Sequence, residues 1–226
     1  MFFPEKIQNI TSSDKVLEIG PGGLPYPRSD VLLEKFFDCP DEAAKQRGLA
    51  PKFETDKKII FYKGGRFPFE NKEFDYIICS HVLEHVEDID FFVSEIKRVG
   101  RKGYLEYPLI YYDYIYNFRV HENLLHCKDN TIYWMKKVDT PLDHFSEVQK
   151  FFYKTLSSGY VDPVDSFKKF FFEGFEWGDE LKTERVQDLN LLCIDLPEIV
   201  FIPKPKPINL KTIFSRLYGF IKRVGY

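Results

Sequence analysis

Cysteine is scarce and scattered: Cys39, Cys79, Cys127 and Cys193 lie 40, 48 and 66 positions apart in the 226 residues. That spacing excludes a zinc knuckle or an iron–sulfur cluster, and the four read as reduced thiols, with Cys79 buried. His121, His126 and Cys127 lack metal-ligand spacing, so no metal is expected. No run approaches the roughly 18 consecutive apolar residues of a membrane span. The start, MFFPEKIQNI, lacks the basic end and apolar core of a signal peptide, so a cytoplasmic location is expected. Outside one segment, basic residues are outnumbered by acidic ones. Ile199 to Tyr226 hold six of the 32 Lys and Arg and none of the 35 Asp and Glu, leaving the first 198 residues acidic. An acidic body argues against general nucleic-acid binding. There are no internal repeats or low-complexity tracts. Methionine and tryptophan number two each, whereas 23 Phe and 14 Tyr bring the aromatic share to 17%. Flat, stiff side chains of this kind suit sugars, ring compounds and lipids.

The first hundred residues alternate strand and helix patterns. Lys15 to Gly20 is a short apolar run that breaks into Pro21-Gly22-Gly23. Asp30–Glu34, Lys58–Tyr62 and Phe74–Cys79 are further strands, the last with an unbroken apolar centre that suits burial on both faces. From Asp88 the period changes: Ile89, Phe92, Val93, Ile96 and Val99 fall at helical spacing. Gly100 to Gly103 are expected to stop that helix before a fifth strand at Tyr104–Tyr107. Strand, helix, strand in this order is the crossover unit of a parallel α/β sheet.

In such sheets a ligand sits beyond the carboxyl ends of the strands. Glycines after Gly20 permit backbone angles closed to other residues and leave the main chain open to a ligand. Glu34, ending the second strand, offers two acceptor oxygens to a ribose diol. Together these describe a nucleoside site. A nicotinamide dinucleotide is disfavoured, because Leu24, Pro25, Tyr26 and Pro27 oppose the helix whose amino end would receive a pyrophosphate. Glu34 also lies only 14 residues past Gly20.

Glu18-Ile-Gly20-Pro-Gly22-Gly23, Glu34 and above all the block Phe67 to Val86, FPFENKEFDYIICSHVLEHV, resemble class I methyltransferases that use S-adenosylmethionine, the small-molecule type 11 group in particular. The resemblance spans residues 15 to about 108. It implies a Rossmann-like α/β fold, a mostly parallel sheet with an antiparallel C-terminal hairpin and inserted aromatic-rich elements. It further implies that Glu18 and the turn Gly20, Pro21, Gly22, Gly23 hold the amino-acid end of the cofactor and that Glu34 holds its ribose hydroxyls. Ser80 and His81 would line the pocket near the methyl group, with Phe67 also at the cofactor. Two departures stand out. Leu24 replaces the family's third glycine, and the first crossover helix is shortened to a proline-rich loop. Lys63 falls near the position of an acid that accepts from adenine; lysine accepts nothing, so Gly64 or Gly65 backbone would read the base. Cys79-Ser-His-Val stands where base-amine methylating enzymes carry Asn/Asp-Pro-Pro-aromatic, which argues against a nucleic-acid substrate.

Methyl transfer depends on holding nucleophile and methyl in line, and a hydroxyl acceptor must also lose its proton to a base. His81, His121, Glu106 and Tyr107 are the candidates. His85, one turn past His81, reads rather as a packing or capping residue.

The rest of the chain reads as elaboration. Residues 1–197 form the methyltransferase domain, its cofactor half ending near 108 and its specificity elements spanning about 109–187. Leu124–Trp134 is a hairpin pattern; Thr140-Pro141 opens a helix with Leu142, Phe145, Val148, Phe152 and Leu156 on one face; Phe171–Gln187 is a second hairpin. Tyr107–Tyr116 is an acceptor platform or a buried aromatic cluster. Residues 198–226 comprise a stiff Pro/Lys linker and a basic amphipathic helix that meets a membrane surface or docks on protein, including a second copy. The function expected is methyl transfer to a small polar or glycan acceptor at oxygen. The alternative is a methyltransferase fold serving as a non-catalytic binding or scaffold module.

Overall fold

A computed structural model describes residues 1–38 and 55–195. Cys39 and the expected C-terminal linker and amphipathic helix lie outside the described residues. The strands β1 (Val16–Ile19), β2 (Val31–Lys35), β3 (Lys58–Tyr62), β4 (Phe74–Ser80), β5 (Gly100–Pro108) and β8 (Phe172–Trp177) make one sheet in the order β3-β2-β1-β4-β5-β8. All neighbours in it are parallel except β8, which runs antiparallel to β5. The expected strands therefore appear where the apolar runs place them, in an α/β fold with a mostly parallel sheet. Leu17, Leu33, Ile77, Cys79 and Leu105 enter the main core, whereas Val16, Tyr76, Ile78 and Tyr104 pack in a cluster of their own.

Between β1 and β2 there is no helix, only turns. The shortened crossover read from the prolines is thus what the chain builds. Helix α1 (Ile89–Val99) starts where Asp88 caps it, its side chain accepting from the Phe91 backbone N–H at 2.9 Å. Ile89, Phe92, Val93, Ile96 and Val99 are buried. Each such side chain contributes about 1.5–3 kcal/mol before entropy. Gly100 does more than end the helix, because β5 begins on it and packs against Ile77: a Cβ there would stand 2.2 Å from the Ile77 Cγ1.

The second half departs from expectation in three places. First, β6 (Asn123–Lys128) and β7 (Thr131–Lys136) form the first hairpin, turning on Asp129 and Asn130 in left-handed backbone. The second hairpin does not close. Lys182–Arg185 (β9) leaves β8 and pairs parallel with β7, making a separate sheet in the order β6-β7-β9. Lys182-Thr-Glu-Arg185 carries no apolar alternation that would direct it to either sheet. Second, the stretch after Thr140 begins as a 3-10 turn, Pro141–Phe145, and α3 occupies Ser146–Ser157. Leu142 and Gln149 are buried while Phe145, Val148 and Phe152 are exposed, so the apolar face read from periodicity is largely solvent-facing. Third, the tyrosine segment forms α2 (Ile110–Tyr116). Tyr112 and Tyr116 pack with Phe118, Phe171 and Phe172, which is the buried aromatic cluster rather than a platform. Among the described residues no helix is long and apolar enough to cross a membrane.

Candidate active site

The carboxyl ends of β1, β2, β3 and β4 open into one cavity of about 830 Å3. That volume is within the range of small-molecule and cofactor sites. Gly20, Pro21, Gly22 and Gly23 form one side, Glu34 another, Gly64 and Gly65 a third, and Ser80, His81 and His85 the side after β4. Phe91 and Phe92 add apolar wall from α1.

The turn after β1 is shaped by glycine. Gly20 has φ +63°, and a Cβ there would meet Val82 Cγ2 at 2.5 Å. The post-β4 segment can lie close to this turn only because the position has no side chain. Gly20→Ala is expected to lower stability by about 1–3 kcal/mol, from left-handed strain plus the clash with Val82. Gly22→Ala, with the same sign of φ but open space around it, should cost less. Thermal denaturation of the two variants checks the contrast; equal losses would show that Val82 yields freely.

Two positions assigned to the cofactor by resemblance do not line the cavity. Glu18 is buried, and its Oε2 accepts from the Tyr26 backbone N–H at 2.8 Å and from Ser29 Oγ at 2.7 Å. It pins the proline-rich connection, and burial raises its carboxyl while these hydrogen bonds oppose the rise. Phe67 is buried behind the wall, edge-on to Tyr62 and Phe92, which do line it. Its backbone N–H donates to Glu95 at 2.7 Å. Lys63 is exposed, 3.5 Å from Asp38, and is not among the lining residues.

The expected base candidates fare unequally. Glu106 is buried, and its two oxygens accept from the backbone N–H groups of Phe2 and Phe3, from Ser80 Oγ and from Tyr104 OH. His81 Nε2 is 3.0 Å from Oε1 of the same carboxylate. Burial pushes the Glu106 carboxyl up, but His81, Tyr104 and the Phe2 N–H hold it down at about 2. A carboxylate so thoroughly satisfied makes a poor proton acceptor. His81 has left-handed backbone (φ +57°), which swings its ring back between Glu106 and Glu84. Burial favours the neutral ring, yet the two carboxylates raise it to about 9. With both nitrogens engaged and a proton already held, His81 lines the cavity as a cation rather than as a base. Tyr107 is buried away from the cavity, its hydroxyl donating to Glu173 at 2.5 Å, and burial drives it well above its ordinary range. The three share one feature: burial and neighbouring charged or polar groups shift their protonation, and neither is visible along the chain.

His121 and the undervalued His85 lie together. Their ring centroids are 4.9 Å apart. His85 Nδ1 is 2.9 Å from the Val120 carbonyl, so it carries the proton and leaves Nε2 with its lone pair. Burial lowers His85 further and keeps the ring neutral. His121 Nδ1 is 2.7 Å from Asp113 Oδ2, and Lys137 Nζ holds the other oxygen of Asp113 at 2.9 Å. The hairpin places this group: Glu122 N–H donates to the Glu84 carbonyl at 2.7 Å, and the Asn123 amide donates to the carbonyls of Leu83 and Val86. Sequence reading missed Asp113 and Glu84 altogether. The segment itself stood out, since Ser80 to Val86 belong to the Phe67 to Val86 block, but no signal singled out Glu84 within it.

Residues 39–105 match the family model described as a methyltransferase domain. The curated relatives are ubiquinone biosynthesis O-methyltransferases from two strains of Rickettsia bellii, OSU 85-389 and RML369-C, each 30% identical over 107 residues. The match covers 44% of this chain and 44% of theirs, so the chain spans less than half the length of those relatives. Among solved structures, a Pyrococcus horikoshii protein is 21% identical with a TM-score of 0.37, over 49% of this chain and 57% of that one. An S-adenosylmethionine-dependent methyltransferase from Mesorhizobium loti is 13% identical with a TM-score of 0.33, over 54% and 56%.

Proposed function

We propose that this chain, which carries a class I methyltransferase domain with S-adenosylmethionine as its cofactor, moves a methyl group to an oxygen of a small polar or glycan acceptor. The observation that carries this reading is the convergence on one cavity of the glycine turn, Glu34, Gly64 and Gly65 with a neutral histidine, His85, on the side after β4. The cradle suits the cofactor. Bare backbone at Gly22, with open space around it, accommodates close approach of a ligand, and the Glu34 carboxylate offers charged acceptors to a diol.

When bound, the cofactor supplies an electrophilic methyl on a sulfonium. The chain's own part is positioning, exclusion of water and handling of one proton. Phe91, Phe92, Val82 and Val86 give the cavity apolar walls against which an acceptor ring packs. Ser80 and His81 are held rigid by Glu106 and set the floor. The acceptor's hydroxyl proton leaves toward His85, whose Nε2 lone pair is fixed by the Val120 carbonyl behind it. Oxygen as the receiving atom is supported by the O-methyltransferase activity named for the Rickettsia relatives.

Calorimetric titration with S-adenosylmethionine, S-adenosylhomocysteine and NADH tests the reading. Micromolar binding of the two adenosyl compounds and none of NADH is expected. Glu34→Ala should weaken that binding by about 1–3 kcal/mol, the worth of charged hydrogen bonds lost. No adenosyl binding by the unaltered chain would transfer support to the non-catalytic scaffold alternative; unchanged affinity in the variant would mean that the ribose lies elsewhere.

A further inference from the structure

We propose that Glu84, His85 and His121 form a binding site for a divalent transition-metal ion of the Zn2+ class at the edge of the cavity. One ligand atom from each of the three lies within 4.8 Å of the other two. Metal–nitrogen and metal–oxygen bonds of about 2.0–2.2 Å need ligand atoms roughly 3.4 Å apart, so small side-chain rotations would close the set.

Three independent features point to a cation. The first is tautomer control. Val120 carbonyl and Asp113 carboxylate take the Nδ1 protons of His85 and His121, which leaves Nε2 of each ring as the nitrogen able to ligate. A ligating histidine is characteristically held in this way, through its other nitrogen, by a carbonyl or a carboxylate, and Lys137 in turn fixes Asp113. The second is Glu84 itself. It is 1% exposed, and its Oε2 is fully buried with no hydrogen-bond partner. Its Oε1 lies 3.8 Å from His85 Nε2, too far for a hydrogen bond. Among the described residues, a buried carboxylate thus lies beside two histidine rings, with the His81 ring 3.3 Å from its Oε1. The third is access. Two imidazoles and one carboxylate leave a coordination position open, and His85 lines the cavity where an acceptor would lie.

The role of such an ion rests on the methyl-transfer reading: beside the acceptor, it lowers the pKa of a hydroxyl and does the work otherwise left to His85 alone. Its binding does not depend on that reading.

The test uses the full chain, stripped with chelator and titrated with ZnCl2 by calorimetry and with CoCl2 by visible absorption. One equivalent of Zn2+ is expected, together with the Co2+ spectrum of a low-coordinate nitrogen and oxygen site. Glu84→Gln should weaken Zn2+ binding at least tenfold, and Asp113→Asn, which only orients His121, by about 10–100-fold. Circular dichroism shows whether each variant is folded, and the Co2+ spectrum of the unaltered chain tests the site without any variant. Absence of stoichiometric binding would overturn the site, as would Zn2+ affinity indifferent to both substitutions, which would mark adventitious binding at exposed groups. If S-adenosylmethionine binds the stripped chain while no metal does, the metal site fails and the methyltransferase reading stands. If metal binds at these residues while S-adenosylmethionine does not, the reverse holds.

Discussion

His85→Ala is expected to lower kcat for methyl transfer by about 10²- to 10⁴-fold, with little change in S-adenosylmethionine affinity. The residue belongs to the segment after β4 and not to the glycine turn, so the contacts of the turn and of Glu34 survive its loss, while the acceptor loses the group that receives its proton or holds the ion that acidifies it. Its backbone position is secured independently, by the Asn123 amide on Leu83 and Val86 and by the Glu122 N–H on Glu84, so the variant should fold. A comparable loss in His81→Gln with His85→Ala unaffected would reverse the assignment. The physical ground for expecting the opposite is protonation: His85 is neutral and lines the cavity, whereas His81 is held as a cation at about 9. Steady-state kinetics with the acceptor as substrate and calorimetry with the cofactor separate the two effects.

Glu106→Ala should destabilise the fold by about 3–5 kcal/mol, a large part of the 5–15 kcal/mol available to a typical domain. The substitution strands the His81 cation, the Tyr104 and Ser80 hydroxyls and two backbone N–H groups of the N-terminal segment, all of which share one carboxylate. The pH dependence follows from the same contacts. Glu106 falls from an unfolded value near 4.3 to about 2 in the fold, so its stabilisation is complete above about pH 4.3 and is lost as pH falls toward 2. His81 rises from 6.5 to about 9, so its share is complete below pH 6.5 and is lost as pH climbs through 9. Each limb corresponds to roughly 3 kcal/mol of what is largely one interaction seen from its two partners. Chemical denaturation across pH 2–10 should show both limbs in the unaltered chain and a flattened profile in Glu106→Gln. A profile identical in the two would mean that the carboxylate is not the group that senses pH.

The sheet strands were legible because burial on both faces leaves an unbroken apolar run, as in Tyr76-Ile-Ile-Cys79, and α1 because five apolar residues recur at helical spacing behind an Asp cap. The ligand end was legible too, since Gly20 and Gly22 in left-handed backbone are a local requirement that the residue type announces. Edges were not. Lys182–Arg185 could pair with β8 or β7, and only the position of the first hairpin decided between them.

Chemistry followed the same division. Residue types and order along the chain determined by themselves the α/β class, the glycine cradle and the cofactor class that the Phe67 to Val86 block signals. Tertiary structure decided which side chains are free to react, because protonation depends on burial and on charges brought from far along the chain. Glu106 silences His81 from 25 residues away and Val120 primes His85 from 35, while the hairpin carries His121 to Glu84. Electrostatic interaction acts through space over a few ångströms, and no periodicity in the sequence records it.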